Sequence, residues 1–356
     1  MASRTNRIAL TALQVAITIG ALVWLLHDPQ KRAEMWRILV QADPFWFLAG
    51  IATYGVVEII AAWRWEGLLH VQGIFLSRTR LITLLLIGVF FNFFIPGGTG
   101  GDVVKIYYLI KEAPGKGAGA VLSVLVDRIV GLFALILMAA VFIAMHWHWL
   151  IQTTETASCV WTALIILAAS IVAVSFSYIV TSFGLVHRLP AKFPMRDRLA
   201  ELAMAYNLYG RAWRASSKAV LASFASHFGY FFTFYCAARA FAAPGITIPT
   251  YGQLCIVMPL INTITALPIS IGGIGVREKL FQVLLNRLTG VDESVAFLIS
   301  STGFAATAVW GVVGGLLYLI YRPTEHVRLD QISEEVAELE HHVAEDEIAE
   351  EEAHHP

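Results

Sequence analysis

Two glycine-rich interruptions, each leading into charged residues that open a helical pattern, are the parts of this sequence best suited to chemistry. The first reads Asn92-Phe93-Phe94-Ile95-Pro96-Gly97-Gly98-Thr99-Gly100-Gly101-Asp102-Val103-Val104-Lys105, and the second reads Pro268-Ile269-Ser270-Ile271-Gly272-Gly273-Ile274-Gly275-Val276-Arg277-Glu278. Both follow long apolar stretches. In hydrocarbon an unpaired backbone amide costs several kcal/mol, so non-helical backbone persists there only inside protein or beside a water-filled cavity. Glycines at such a place let a ligand or another backbone approach closely. The plainer alternative is a surface turn that joins two helices.

Asp102 and Lys105 have the i, i+3 spacing that lets them pair on one helix face. An acid at a helix N-terminus also serves as a cap, and it would repel a phosphate. A cationic head group, a proton or an arginine from elsewhere in the fold therefore suits the first motif better than a simple phosphate cradle. The second motif starts its helix with Arg277, the wrong sign for the positive end of the dipole. Two partners are open: an acid such as Asp102 from the other motif, or an anionic group such as a lipid phosphate, which fits the forked guanidinium. A third reading has Arg277 simply snorkelling to the interface.

Other ionisable residues lie within apolar segments. Asp127 and Arg128 sit near the start of one, where insertion costs about 2.5–3.5 kcal/mol each at full depth, so they are expected to face inward and pair, or else to snorkel. Glu58 sits mid-segment and calls for a buried partner. His227 reads as a neutral, hydrogen-bonded core residue before a proton relay, and Arg239 raises the same question. Trp147, Trp149, Tyr318 and Tyr321 read as interfacial belts. Cys159, Cys236 and Cys255 lack any CxxC or Cys/His spacing, which supports neither a disulfide framework nor zinc. The His pairs of the tail lack carboxylates at ligand spacing, so no metal and no cofactor is expected.

The elements that must hold these residues are membrane helices. The chain is 57% hydrophobic and 14% charged, against roughly 25% charged in soluble domains. Apolar runs over residues 8–26, 45–63, 118–145, 159–183, 219–241 and 295–321 are each long enough to cross a bilayer. Residues 8–26 lack a small-residue cleavage site and read as a retained span. Asp43-Pro44 gives the second run an N-cap and first helical residue. The stretches 81–95 and 254–267 instead run into the two motifs. The fold class expected is an all-α integral membrane protein of about six spanning helices plus two broken, possibly re-entrant segments in an inverted repeat.

Arg188, Lys192, Arg196, Arg198, Arg211 and Arg214 crowd residues 184–217, whereas residues 147–156 carry no Lys or Arg. The positive-inside rule makes the former loop cytoplasmic, and with it both termini. Lys31, Arg32 and Arg37 then fall outside, against the rule. If each broken stretch enters and leaves by one face, the first opens from the cytoplasm and the second from outside. Residues 1–322 form the membrane domain, and 323–356 an acidic tail with a weak apolar stripe.

The runs PGGTGGDVVKIYYL, SVLVDRIVGL and PISIGGIGVREKLF resemble the flippase-like membrane domain of lysylphosphatidylglycerol synthases and its stand-alone UPF0104 relatives, in order and spacing over nearly all of residues 8–322. The resemblance implies a lipid-handling domain of a prokaryotic inner membrane. It does not fix the lipid, since relatives are linked to aminoacylated phospholipids, polyprenyl-linked sugars and hopanoids. Lys105 stands where the family usually has Arg, keeping charge but losing the fork. Bifunctional members add a soluble aminoacyl-transferase domain; the 34 residues of the acidic stretch after position 322 are too few for one, so synthase activity is not expected.

The leading expectation is a lipid flippase or transporter for a phospholipid or polyprenyl-linked lipid. Its binding or gating residues would be Asn92, Pro96, Gly97, Gly98, Gly100, Gly101, Asp102, Lys105, Asp127, Arg128, Pro268, Gly272, Gly273, Gly275, Arg277 and Glu278. A transferase acting on a lipid-linked substrate is the alternative, although no DxD-type acidic pair appears; a non-transporting scaffold is the third. No nucleic acid partner is expected, and a homodimer is left open.

Overall fold

The computed structural model describes residues 18–20, 23, 27–94, 100–113, 116–182, 208–267 and 270–321. Most of the expected first span, the basic loop 184–207, the acidic tail and Pro96, Gly97, Gly98 and Pro268 lie outside these residues. The described residues contain helices and no strand: α1 Pro29–Val40, α2 Pro44–Val71, α3 Arg78–Phe94, α4 Gly100–Glu112, α5 Gly117–Met145, α6 Trp147–Leu150, α7 Thr154–Ser182, α8 Trp213–Ala240, α9 Tyr251–Thr265, a 3-10 turn Ile271–Gly273, α10 Val276–Thr289 and α11 Glu293–Ile320. The chain is an all-α, multi-pass membrane protein.

Local chemistry sets the boundaries. Asp28, Asp43 and Asp292 each cap a helix by accepting a backbone N–H two residues on, with proline following in the first two cases. Thr250 and Gln253 close a reciprocal capping box on α9. Gly290, at φ 71°, terminates α10 in the left-handed region. Pro44–Val71, Gly119–Met145, Thr154–Ala173 and Glu293–Ile320 are long and apolar enough to cross a membrane. The 28-residue α8 has the length, but Arg214, Lys218 and Arg239 and its many hydroxyls dilute its hydropathy. Four expected runs thus correspond to α2, α5, α7 and α11, and the fifth, 219–241, begins earlier, at Trp213.

The broken stretches form two helical hairpins. Their arms have 17, 13, 15 and 14 residues, or roughly 20–25 Å at about 1.5 Å per residue, short of a hydrocarbon core about 30 Å thick. Arg80 at the start of α3 pairs with Glu112 at the end of α4, so the first hairpin enters and leaves by one face. Tyr321 joins them there, its hydroxyl donating to Glu112. On the opposite face Asp43 N–H donates to Ala240 O at 2.8 Å, Lys31 pairs with Glu293 at 2.9 Å, and Arg287 pairs with Glu155 at 3.2 Å. Ten residues link the end of α8 to the start of α9 on that face, and α10 ends just before α11 begins there. The hairpins therefore open on opposite faces, and both are re-entrant in shape.

Packing follows one scheme twice. α2 lies along α8; α3 packs on α4 and α11, as α9 packs on α10 and α5; α4 packs on α5, as α10 packs on α11. Close approach depends on glycine at particular points. A Cβ on Gly314 of α11 would stand 1.9 Å from the Leu86 carbonyl oxygen of α3. Trp310 fills the space above Gly55 and donates its indole N–H to Ile51 O at 2.8 Å. One buried cluster centres on α8, α9, α10 and the start of α11, and a second on α2, α3, α4 and the start of α5. Tyr318 and Tyr321 also pack within the protein. Their rings pack edge-on against Phe91 and Tyr108, which fastens the end of α11 to the first hairpin.

Candidate functional site

The first hairpin tip is pinned by Asn92, whose Oδ1 accepts from Gly101 N–H at 3.0 Å. That contact turns the chain into α4 and brings Asp102 against α5. Arg128 of α5 forks onto Asp102, Nε donating to Oδ2 at 2.7 Å and Nη2 to Oδ1 at 2.9 Å. One turn along, Lys105 is 7% exposed, lies 4.5 Å above the Trp65 ring, and holds its Nζ 3.8 Å from Asp102 Oδ1. The indole N–H of Trp65 in turn donates to Ser123 Oγ at 3.3 Å.

A second fork lies next to the first. Arg64 of α2 donates from Nε and Nη2 to the two oxygens of Asp127 at 2.7 and 3.0 Å, and from Nη1 to Ser223 of α8 at 2.9 Å. Both members are largely buried, with side chains 13% and 8% exposed. Paired forks of this kind satisfy a guanidinium that would be costly alone in hydrocarbon. Asp127 and Arg128 are thus both paired, as expected. Arg128 differs in leaving its side chain 52% exposed.

Glu58 sits midway along α2 and is 8% exposed. Its polar surroundings are Tyr54, Lys105, Arg64 and Asp127, and among the described residues it forms no ion pair. The partner it calls for is Tyr54, one turn earlier on α2, whose hydroxyl hydrogen-bonds its carboxylate, and His227 likewise behaves as a core residue, its Nε2 lying 3.1 Å from Gly131 O. Arg239, near the end of α8, stacks 4.9 Å over the Trp46 ring.

The second tip has its own closed network. Gly272, Gly273 and Gly275 take φ of 59°, 75° and 86°, a region glycine enters without strain. Glu278 turns back to accept from Gly275 N–H through Oε2 at 2.5 Å. Its other oxygen accepts from Arg277 Nη2 at 2.7 Å and Nε at 3.1 Å, and from Ser300 at 3.0 Å. Arg277 stacks 4.0 Å over Phe304. So Asp102 and Arg277 do not neutralise each other: each motif supplies a partner within its own half. The reason is the cap, which leaves Glu278 Oε1 free to face its neighbour.

The two tips meet. α3 packs against the 3-10 turn, and Phe93 of the first hairpin meets Phe304 edge-on at 5.2 Å, on the ring that carries Arg277. Tyr54, beside Glu58, meets Tyr230, beside Arg277, at 6.1 Å between ring centroids. Asn92, Gly100, Gly101, Asp102, Lys105, Asp127 and Arg128 are thus gathered on one side of this junction, and Gly272, Gly273, Gly275, Arg277 and Glu278 on the other. The residues not foreseen are Arg64, Tyr54, Tyr230 and Ser300. Only Arg64 carried a signal, as a charge beside an apolar run. Among the described residues no group of three or more His, Cys, Asp or Glu side chains could hold a metal ion.

The fold is that of a helical membrane protein whose two broken hairpins enter from opposite faces and abut, α3 against the 3-10 turn, beside buried ion pairs that each lie within one half. The profile of the lysylphosphatidylglycerol synthase TM region matches residues 11–315, and the chain belongs to that family. It is 27% identical over 177 residues to the UPF0104 membrane protein PH1989 of Pyrococcus horikoshii, a match covering 46% of this chain and 52% of that protein. The chain thus spans about half the length of the curated relative it matches.

Proposed function

We propose that this protein moves a membrane lipid between leaflets, its charged head group passing through the junction of the two hairpin tips. The single observation that carries the reading is that junction: two short hairpins from opposite faces abut beside two arginine–carboxylate forks and a buried lysine. Relatedness to the lysylphosphatidylglycerol synthase membrane region agrees with it. The substrate is a phospholipid or polyprenyl-linked lipid. Arg128, the most exposed of these side chains, meets the head group first, and Asp102, Lys105, Asp127, Arg277 and Glu278 line its path.

In this reading α2–α5 and α8–α11 are inverted repeats, and the duplicated packing supports that assignment. The face bearing Arg78 and Arg80 is cytoplasmic by the charge rule, and the membrane is a prokaryotic inner membrane. Leaflet exchange of fluorescent phospholipids and of a polyprenyl-phosphate sugar in proteoliposomes tests the function. Wild-type protein is expected to accelerate exchange, and Asp102→Asn and Arg277→Gln, each correctly folded, to slow it at least tenfold. Undiminished exchange in the double variant would refute the site, and no exchange of any lipid by wild-type protein would refute the function.

A further inference from the structure

The charges around the first tip do not balance in the same way throughout. Asp102 with Arg128 and Asp127 with Arg64 are forked, locally neutral pairs. Removing those pairs from consideration leaves Lys105 and Glu58, both more than nine-tenths buried. Lys105 rests on an aromatic face with Asp102 Oδ1 at 3.8 Å, beyond hydrogen-bonding distance. Glu58 accepts a hydrogen bond from the Tyr54 hydroxyl and has no ion pair among the described residues. With every group ionised the cluster is neutral, and Glu58 would repel a phosphate drawn to Lys105. With Glu58 protonated the cluster carries one net positive charge, the complement of one phosphodiester.

We propose, resting on the translocation reading above, that Glu58 takes up a proton as an anionic phosphate head group binds beside Lys105 and loses it on release, so that lipid and proton move together. The proton joins a carboxylate oxygen of Glu58 on one side of the membrane and leaves from it on the other; no net charge crosses with a singly charged lipid. The tips open on opposite faces, which supplies the two sides.

The groups facing Glu58 do not offer an easier proton acceptor. They are Tyr54 and Arg64 from its own helix, Lys105 from α4 and Asp127 from α5. Asp127 is held by the Arg64 fork, and arginine stays protonated. α8 contributes Tyr230, against Tyr54, and His227, whose Nε2 lies on Gly131 O. α3 and α11 carry no Asp, Glu, Lys, Arg or His in their middle portions. His227 is the rival group and is tested separately.

The experiment uses the full-length protein in phosphatidylcholine vesicles with fluorescent phosphatidylglycerol and an entrapped pH indicator. An inward proton gradient is expected to concentrate the probe in the inner leaflet, up to about tenfold per pH unit, since one unit is one decade of proton activity. Entrapped-dye acidification should accompany it, and a potassium–valinomycin potential should change neither. Glu58→Gln should abolish the response to the gradient, Glu58→Asp should retain it, and His227→Gln should retain it. Wild-type exchange indifferent to the gradient, or a gradient response surviving in folded Glu58→Gln, would overturn the proton coupling and leave translocation standing. A response lost in His227→Gln but kept in Glu58→Gln would overturn the assignment to Glu58. Equal proton-linked uptake of inorganic phosphate would overturn the lipid as the source of the anion. Absence of exchange under any gradient would instead overturn the translocation reading.

Discussion

Gly101→Ala is expected to unseat the first hairpin and to leave little folded protein. A Cβ at this position would stand 1.9 Å from the carbonyl oxygen of Gly88 and 2.7 Å from the carboxamide of Asn92. The carbonyl belongs to a helix backbone and cannot rotate away, so α3 and α4 would have to separate along their whole contact. Forced overpacking ordinarily costs about 1–3 kcal/mol, and a clash against backbone belongs at or above the upper end, beyond about 4 kcal/mol. Gly88→Ala provides the comparison. Its added Cβ would meet Cγ and Cδ of the buried Lys105 at 2.8 and 2.6 Å and the Gly101 carbonyl oxygen only at 3.2 Å, so the cost falls on one side chain and less on the backbone. Thermal unfolding in detergent should rank Gly101→Ala far below Gly88→Ala. Equal midpoints for the two would mean that the hairpin is not held by this crossing.

The second large effect concerns Arg64 and Asp127. Asp127→Ala strands a guanidinium whose side chain is 13% exposed, and breaking one partner of a buried pair costs about 3–5 kcal/mol. Arg64 keeps its hydrogen bond to Ser223, which offsets only part of this. Replacing both residues, Arg64→Met with Asp127→Leu, removes the uncompensated charge and should recover most of the lost stability. Translocation should not recover with it, because the site would have lost its polar wall. The measurement is a double-mutant cycle of thermal unfolding alongside leaflet exchange. A single variant as stable as wild type would deny the fork a structural role, and full exchange in the stable double variant would deny it a functional one.

Much of this architecture is legible in the sequence because bilayer thickness leaves few options. Long apolar runs had to be spans, and Gly/Pro interruptions with charges after them could not sit against lipid. The need to pair Asp127 and Arg128 was readable from their cost alone. Their partners were not, since pairing depends on which helices lie together. Arg64 follows directly on the apolar run 45–63, but α2 continues to Val71 and carries it into the core. The pairing of Arg277 with Glu278 was hidden for a different reason: adjacent residues on a helix do not normally face each other. Here Glu278 folds back onto Gly275 N–H, and that cap brings its second oxygen to the neighbouring guanidinium. The re-entrant shape of both hairpins became visible only through the lengths of the arms and the Arg80–Glu112 pair at one mouth.

The claim that both hairpin tips contact one head group is tested most directly by photolabelling in proteoliposomes. The probe is a phospholipid carrying a diazirine on its head group, with labelled peptides mapped after proteolysis. Labels are expected in both tip regions, around residues 92–105 and 270–304, with unlabelled lipid of the same class competing them away. Labels confined to the lipid-facing perimeter, such as Ile165, Phe176 and Leu319, and unaffected by competitor, would contradict the shared head-group path.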